Sequence, residues 1–501
     1  MLAFLKKEGW IVRVSIRSTG FAILSLALPC WAQEFHPDIP KAWDEKSVER
    51  LEVPLAQRDR SPSYMSAEEY YKLKVRPIYR SYPVYAKGRE PAGYIESLKQ
   101  KDPEIIFDPS RLSTKEDWIA AGKLVFESDI QFFPTSFAEP PPESYIREIG
   151  WPVSKEGVLP GFAYRYYVRR VGALEVGINS CAGCHTRVMP DGTLWEGAQG
   201  SVPPPVPNPE VALRAKQANS ADVRRRVDSL WIAYGTPWVM SREEFESHYT
   251  SEQLALESAA GHPGVFARQG TSFARPPHIP SLIGVQDRRY LDATGLVRNR
   301  SIGDLMRYII LNQGLDTRIH FGDFQPRLGD EGTRYSDEQL YALALYVYSL
   351  KPPPNPNKFD ERARKGQVIF QRQGCVSCHT PPLYTNNKLT PAAGFQIPDD
   401  LRKTDDIMDI SVGTDPYLAL KTRRGTGFYK VLSLQGVWFR NAFGHGGQAE
   451  TLEEWFDPAR LKPDYVPKGF HVGPGPIQGH AFGLDLPGAE KQDLITFLKT
   501  L

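Results

Sequence analysis

Two five-residue stretches gather side chains suited to redox chemistry: Cys181-Ala-Gly-Cys184-His185 and Cys375-Val-Ser-Cys378-His379. C-x-x-C-H is the sequence at which a c-type haem is attached. The two thiols add across the haem vinyl groups, and the two residues between them set the span. The histidine that follows lies beneath the iron and ligates it through an imidazole nitrogen. A four-cysteine zinc site needs no histidine after each pair and usually sets its pairs closer together. A redox C-x-x-C sits at a helix start in a thioredoxin-like context, which this sequence lacks. The expected cofactors are two covalently bound haem c groups. Cys181, Cys184, Cys375 and Cys378 would attach them, with His185 and His379 as the first metal ligands.

The fifth cysteine, Cys30, belongs to a segment that reads as a secretory signal. Basic residues come first in 1–32, then the apolar run Phe21-Ala-Ile-Leu-Ser-Leu-Ala-Leu28, then Ala32 before a cut at Gln33. Every cysteine of the mature chain then lies in a haem motif, and the expected location is periplasmic or secreted. No later stretch reaches the roughly 18 apolar residues of a membrane span. Setting aside Lys6, Lys7, Arg13, Arg17 and Glu8 of the leader takes 61 basic and 59 acidic residues to 57 and 58. That balance excludes a basic nucleic-acid footprint. Proline, 43 of 501 residues, predicts short helices joined by long stiff loops.

The elements around the motifs repeat. Ala121-Gly-Lys-Leu-Val-Phe126 precedes the first motif and Lys365-Gly-Gln-Val-Ile-Phe370 the second. Ser281-Leu-Ile-Gly-Val285 follows the first and Ser433-Leu-Gln-Gly-Val437 the second. Each half closes on an amphipathic helix, Ser336–Leu350 with a Ser336/Gln339 capping box and Glu490–Leu501. Gly122/Phe126 and Gly366/Phe370 place a glycine and a phenylalanine on one helical face, where a second helix can approach closely. The expected organisation is a signal at 1–32 and an N-terminal extension at 33–114. A first cytochrome c domain at 115–351, a linker at 352–357 and a second domain at 358–501 follow. The expected fold class is mainly α, two tandem c-type cytochrome domains with long Pro-rich loops. Insertions near 127–180 and Val202–Pro209 would cover a site or form a docking surface.

Over residues 115–501 this pattern resembles the bacterial dihaem cytochrome c peroxidase superfamily. The strongest local likeness is Tyr429-Lys-Val-Leu-Ser-Leu-Gln-Gly-Val-Trp-Phe-Arg-Asn-Ala-Phe-Gly-His445 and its continuation to Trp455. Gly479-His480-Ala-Phe-Gly-Leu-Asp485 and the chain length lean towards a longer branch resembling the dihaem rubber oxygenase. In the peroxidases the resembling segment carries a distal methionine for the second haem. Here that position is Gly444, so the candidate distal ligands are His445 first, then His480 and His471. The peroxidases' displaceable histidine on the first haem has no counterpart in Thr186–Gly200, which implies an open or water-bound iron. Met189 four residues past the motif reads as packing. His36, His248, His262, His278 and His320 read as surface or loop residues, His278 being notable for its place just before Ser281.

The distal glutamate of the peroxidases has no clear match after Gly295. Their inter-haem tryptophan falls near Ala293, with Tyr290, Trp231 or Trp238 as substitutes. The calcium often held between peroxidase domains finds no recognisable ligand cluster. The resemblance implies an exported dihaem oxidoreductase, with peroxide, dioxygen or an organic substrate at haem one and electron storage at haem two. The alternative is a non-catalytic dihaem electron carrier. Electrons would be exchanged with small periplasmic cytochromes or cupredoxins across a small interface. A maturation-type activity would need a tyrosine ligand, which neither Phe443 nor Gly444 supplies.

Overall fold

The computed structural model describes residues 34–137, 140, 143–148, 153–159, 165–200, 221, 235–247, 277–312, 319–325, 332–469, 471 and 474–501. The expected signal, the Val202–Pro209 loop, Trp231, His248 and His262 lie outside them.

Thr114 opens the first-half helix Lys115–Glu127 in a capping box with Asp117. Ser336 does the same with Gln339 for the closing helix Asp337–Ser349. The two helices cross at Gly122, where an added Cβ would stand 1.9 Å from the Ala342 carbonyl oxygen and 2.8 Å from Tyr346 Cβ. Only a hydrogen fits there. Phe126, one turn on, fills the crossing against the Tyr346 ring at 5.2 Å. The second half repeats the device. Helices Glu361–Arg372 and Gly488–Lys499 cross at Gly366, whose Cβ would meet the Asp493 carbonyl at 2.0 Å. Phe370 packs on Phe497 at 5.4 Å.

The first half and the N-terminal segment share one core. Trp43, Leu51, Leu55, Tyr70 and Ile78 are buried in the same cluster as Trp118, Phe126, Leu340 and Val347. Val53 reaches further, into a cluster with Leu389, Leu401 and Phe428 of the second half. A separate core around Ile369, Phe370, Val437, Leu494 and Phe497 supports the second motif.

The secondary structure is mixed, which corrects the mainly helical expectation. A four-stranded antiparallel sheet runs in the order Ser81–Pro83, Arg165–Arg170, Ala173–Ile178, Gln131–Pro134. Its central strands carry Tyr166, Tyr167, Val168, Leu174, Val176 and Ile178, all buried. Aromatic and β-branched residues suit such a pleated surface, and the Val171-Gly172 turn, with Gly172 at φ 75°, joins the strands directly. Three of the four strands therefore arise in the insertion before the first motif, Gln131–Pro134 following closely on the opening helix, and Ser81–Pro83 adds from the N-terminal segment. Among the described residues, no helix is long and apolar enough to cross a membrane.

Candidate functional site

Ser180 caps the one-turn helix Cys181–Cys184, its hydroxyl accepting from Gly183 N–H at 3.0 Å. His185 follows, and its Nδ1 lies 2.9 Å from the Pro280 carbonyl oxygen. In the second motif Gly374, at φ 71°, starts the turn Cys375–Ser377. His379 Nδ1 lies 3.1 Å from the Leu432 carbonyl and 3.2 Å from that of Tyr384. An imidazole that donates Nδ1–H to a carbonyl presents its other nitrogen as a lone pair for a metal. Burial holds both rings neutral, His185 pushed down to about 4 and His379 also lowered, and the neutral ring is the ligating form.

Pro280 and Leu432 stand immediately before the repeats Ser281–Val285 and Ser433–Val437. Each repeat is tied by an arginine at the same offset. Arg288 donates to the Ser281 and Ile283 carbonyls at 2.7 and 2.6 Å. Arg440 donates to those of Ser433 and Gln435 at 2.8 Å each. The sequence repeat is thus a hydrogen-bonded cradle for a histidine, built twice.

None of the four motif cysteines is in a disulfide. Burial pushes Cys184 and Cys375 up to about 11. Among the described residues no three His, Cys, Asp or Glu side chains converge on one metal position, so the two pairs do not share an ion.

Of the candidate distal histidines, the structure brings His480 to His379. Their ring centroids are 6.3 Å apart with planes at 55°. A metal between two imidazoles, about 2 Å from each nitrogen and about 1 Å more to each ring centre, sets the centroids roughly 6 Å apart. His480 Nδ1 is buried with no hydrogen-bond partner, and burial holds this ring down at about 4. The backbone carrying it is strained, with His480 at φ 47° and Gly479 at φ 73°.

Arg460, fully buried, pins that segment. It donates to the carbonyls of Trp455 at 2.7 Å, Gly479 at 2.9 Å and His480 at 3.0 Å, and to that of Ile477. Its guanidinium lies 4.6 Å over the Trp455 ring, which in turn lies 5.6 Å from His480. On the other side His480 N–H donates to the Val412 carbonyl at 2.7 Å.

His445 is placed differently. Its ring stacks on Tyr429 at 3.9 Å and 14°, and its Nε2 is buried without a partner. Its carbonyl accepts from the His278 backbone N–H at 2.9 Å and lies 3.1 Å from His278 Nδ1. His471 Nδ1 turns to the Gly469 carbonyl at 2.8 Å. His36 and His320 are exposed. The Met189 backbone closes a turn with Thr193. Tyr290 is held by Asp405 at 3.2 Å, and Trp238 is stacked on Phe321 at 5.4 Å.

Arg288, Lys430 and Arg440 form a cluster that sequence reasoning missed. All three are part-buried, and desolvation pushes Lys430 down to about 7 and each arginine to about 10. Lys430 and Arg440 feel the charge of Arg288, while the Asp287 and Asp292 carboxylates act on Arg288 and Lys430 without closing to an ion pair. Three cations brought together in a part-buried site repel one another, and an anion among them relieves that cost. Such a cluster suits a ligand bearing carboxylates, as haem does through its propionates. Cysteines outside any disulfide, carbonyl-bound imidazoles, an unpartnered histidine nitrogen and this cluster all fit haem. The arginines were legible as a matched pair, seven residues after Ser281 and Ser433. Lys430 and Arg460 carried no such signal.

No family model matches the chain, and no curated protein matches it. Among solved structures it is similar to Kuenenia stuttgartiensis hydrazine synthase pressurised with xenon, at 17% identity. That match spans 63% of this chain and 98% of the other, with a TM-score of 0.28. It is also similar to a MauG-like protein associated with microbial copper homeostasis, at 18% identity over 45% and 73% of the two chains, with a TM-score of 0.27. Likenesses this loose carry no argument about what this chain does.

Proposed function

We propose that this chain is an exported dihaem c-type cytochrome that works as a redox enzyme. Cys181, Cys184 and His185 hold haem one, and Cys375, Cys378 and His379 hold haem two, with His480 rather than His445 as its second axial ligand. The observation that carries this reading is the 6.3 Å separation of the His379 and His480 rings. Two imidazoles stabilise ferric iron more than a thioether does, which suits haem two to storing and relaying electrons. Haem one is the reactive centre in this reading. The Pro280 carbonyl orients His185, while His278 turns its Nδ1 to the His445 backbone carbonyl.

Haem supplies one-electron redox chemistry and, with an open coordination position, a binding place for peroxide or dioxygen. The chain's residues hold the imidazoles neutral and oriented, and set positive charge where propionates would lie. The finer likeness to the rubber oxygenase branch makes dioxygen and an apolar organic molecule the preferred pair.

Low-temperature EPR of the haem-loaded ferric protein tests the reading, beside haem stoichiometry by pyridine haemochrome. One low-spin signal from a bis-histidine centre and one high-spin signal are expected. Two low-spin signals, unchanged on one-electron reduction, would leave an electron carrier instead. A haem two that turns high-spin when His445, but not His480, is replaced would overturn the ligand assignment.

A further inference from the structure

We infer that Asp129 is a proton-coupling site for the haem held at the first motif: its carboxyl takes up a proton when that haem gains an electron and returns it when the electron leaves. The inference rests on the dihaem reading above and adds to it an acid that the reading leaves unused.

Asp129 lies just beyond the opening helix, which ends at Glu127, and its side chain is buried. Gly177 backs onto it so closely that an added Cβ there would stand 2.4 Å from Asp129 Oδ2. Tyr167 bonds it twice. The Asp129 N–H donates to the Tyr167 hydroxyl at 2.8 Å, and that hydroxyl donates to Oδ2 at 3.1 Å. The carboxyl is also hydrogen-bonded by the backbone and the side chain of Ser180. The Ser180 hydroxyl in turn accepts from Gly183 N–H at 3.0 Å, so it joins Asp129 to the Cys181–Cys184 helix it caps. The Asp129 charge reaches the Cys184 sulfur, the atom through which a haem would be attached. Charge interactions are mutual, so a carboxylate felt at that sulfur is felt by a group bonded to it.

The neighbouring charges answer one another and leave Asp129 with hydrogen bonds alone. Arg165, the cation that acts on it, pairs with Glu127 at 3.0 Å. Lys123 lies 3.8 Å from Glu127 and 2.7 Å from Glu196, to which Tyr346 also donates. Among the described residues Asp129 itself closes no ion pair. Desolvation raises it to about 6, where a modest change in nearby charge alters its protonation.

An oxidised iron carries one more positive charge than a reduced one, which favours the Asp129 carboxylate. The added electron removes that charge, and desolvation then favours the acid. The electron comes from a one-electron donor of the small redox-protein class and the proton from solvent. The only bond made is the O–H of Asp129, which breaks again on oxidation.

The experiment is a spectroelectrochemical titration of the holoprotein across about pH 5 to 8. Haem one is identified as the signal missing from the Cys181→Ser/Cys184→Ser protein. Its midpoint potential should fall as pH rises around 6, by about tenfold in the reduction equilibrium, or about 59 mV. Asp129→Asn should abolish this fall, while Glu127→Gln keeps it. Tyr167→Phe removes a hydrogen bond to the carboxylate and should move the fall to higher pH, a change that a merely structural role would not produce. Should Asp129→Asn fail to load haem, the infrared difference spectrum of the native protein decides, because reduction must then raise a carboxylic-acid C=O band that Tyr167→Phe shifts. A native pH dependence in loaded Asp129→Asn, or no such band in the native protein, overturns the proposal. Failure of the dihaem reading shows elsewhere, as fewer than two haems per native chain, before any potential is read.

Discussion

Arg460 should decide whether His480 stays opposite His379. The perturbation is Arg460→Lys, which keeps the charge and most of the stem but cannot fork to several carbonyls. Arg460 donates to four carbonyls, those of Trp455, Ile477, Gly479 and His480. Hydrogen bonds from a charged group contribute about 1.5–3 kcal/mol each, so losing two of them withdraws roughly 3–6 kcal/mol. The segment is already strained, because His480 sits at φ 47°, a left-handed conformation costing a side-chain-bearing residue about 1–3 kcal/mol. Withdrawing even 3 kcal/mol shifts the balance between docked and released segment by more than about a hundredfold. The expected result is loss of the bis-histidine low-spin EPR signal at haem two, replaced by high-spin intensity, with haem content unchanged. Added imidazole should restore the low-spin state. An Arg460→Lys protein with a native low-spin spectrum and native melting temperature would refute the reasoning.

The remaining expectations follow from equally local features. Gly122→Ala and Gly366→Ala each drive a methyl into a carbonyl, at 1.9 and 2.0 Å, and should cost about 1–3 kcal/mol net. Calorimetry should show the melting temperature falling by about 2–4 °C per kcal/mol; unchanged melting would mean that the helix crossings can part freely. Asp129 is buried beside Tyr167, whose hydroxyl donates to it at 3.1 Å, and desolvation raises its carboxyl to about 6 from 3.8. The folded chain therefore holds this proton more tightly than the unfolded one. Stability should fall as pH rises from about 4 to about 6, by roughly 3 kcal/mol from this group. Denaturation of Asp129→Asn across that range should lack this component, and an identical slope would exclude Asp129 as its source. Cys181→Ser with Cys184→Ser, or Cys375→Ser with Cys378→Ser, should each reduce covalent haem from two to one, read by mass and pyridine haemochrome. Two haems retained in either variant would remove that motif from the attachment sites.

How much was legible in the sequence depended on how local each feature is. Cys181, Cys184 and His185, like Cys375, Cys378 and His379, lie within five residues, so their spacing alone implies a haem whatever surrounds them. The helix crossings at Gly122 and Gly366 were also legible, because glycine and phenylalanine one turn apart mark a face that another helix must touch. The sheet was hidden, since three of its strands lie in what reads as an insertion and the fourth, Ser81–Pro83, joins Arg165–Arg170 from the N-terminal segment. Sequence likeness favoured His445 as the distal ligand, because it follows the position of the peroxidase methionine. The tertiary structure instead stacked His445 on Tyr429 and set His480 against His379. The reason is physical: which histidine lies near His379 depends on distance and direction, and these come from a buried arginine holding four carbonyls of a distant loop. Sequence by itself determined where the two candidate attachment motifs lie. Only the packing of that loop decided which histidine faces the second motif.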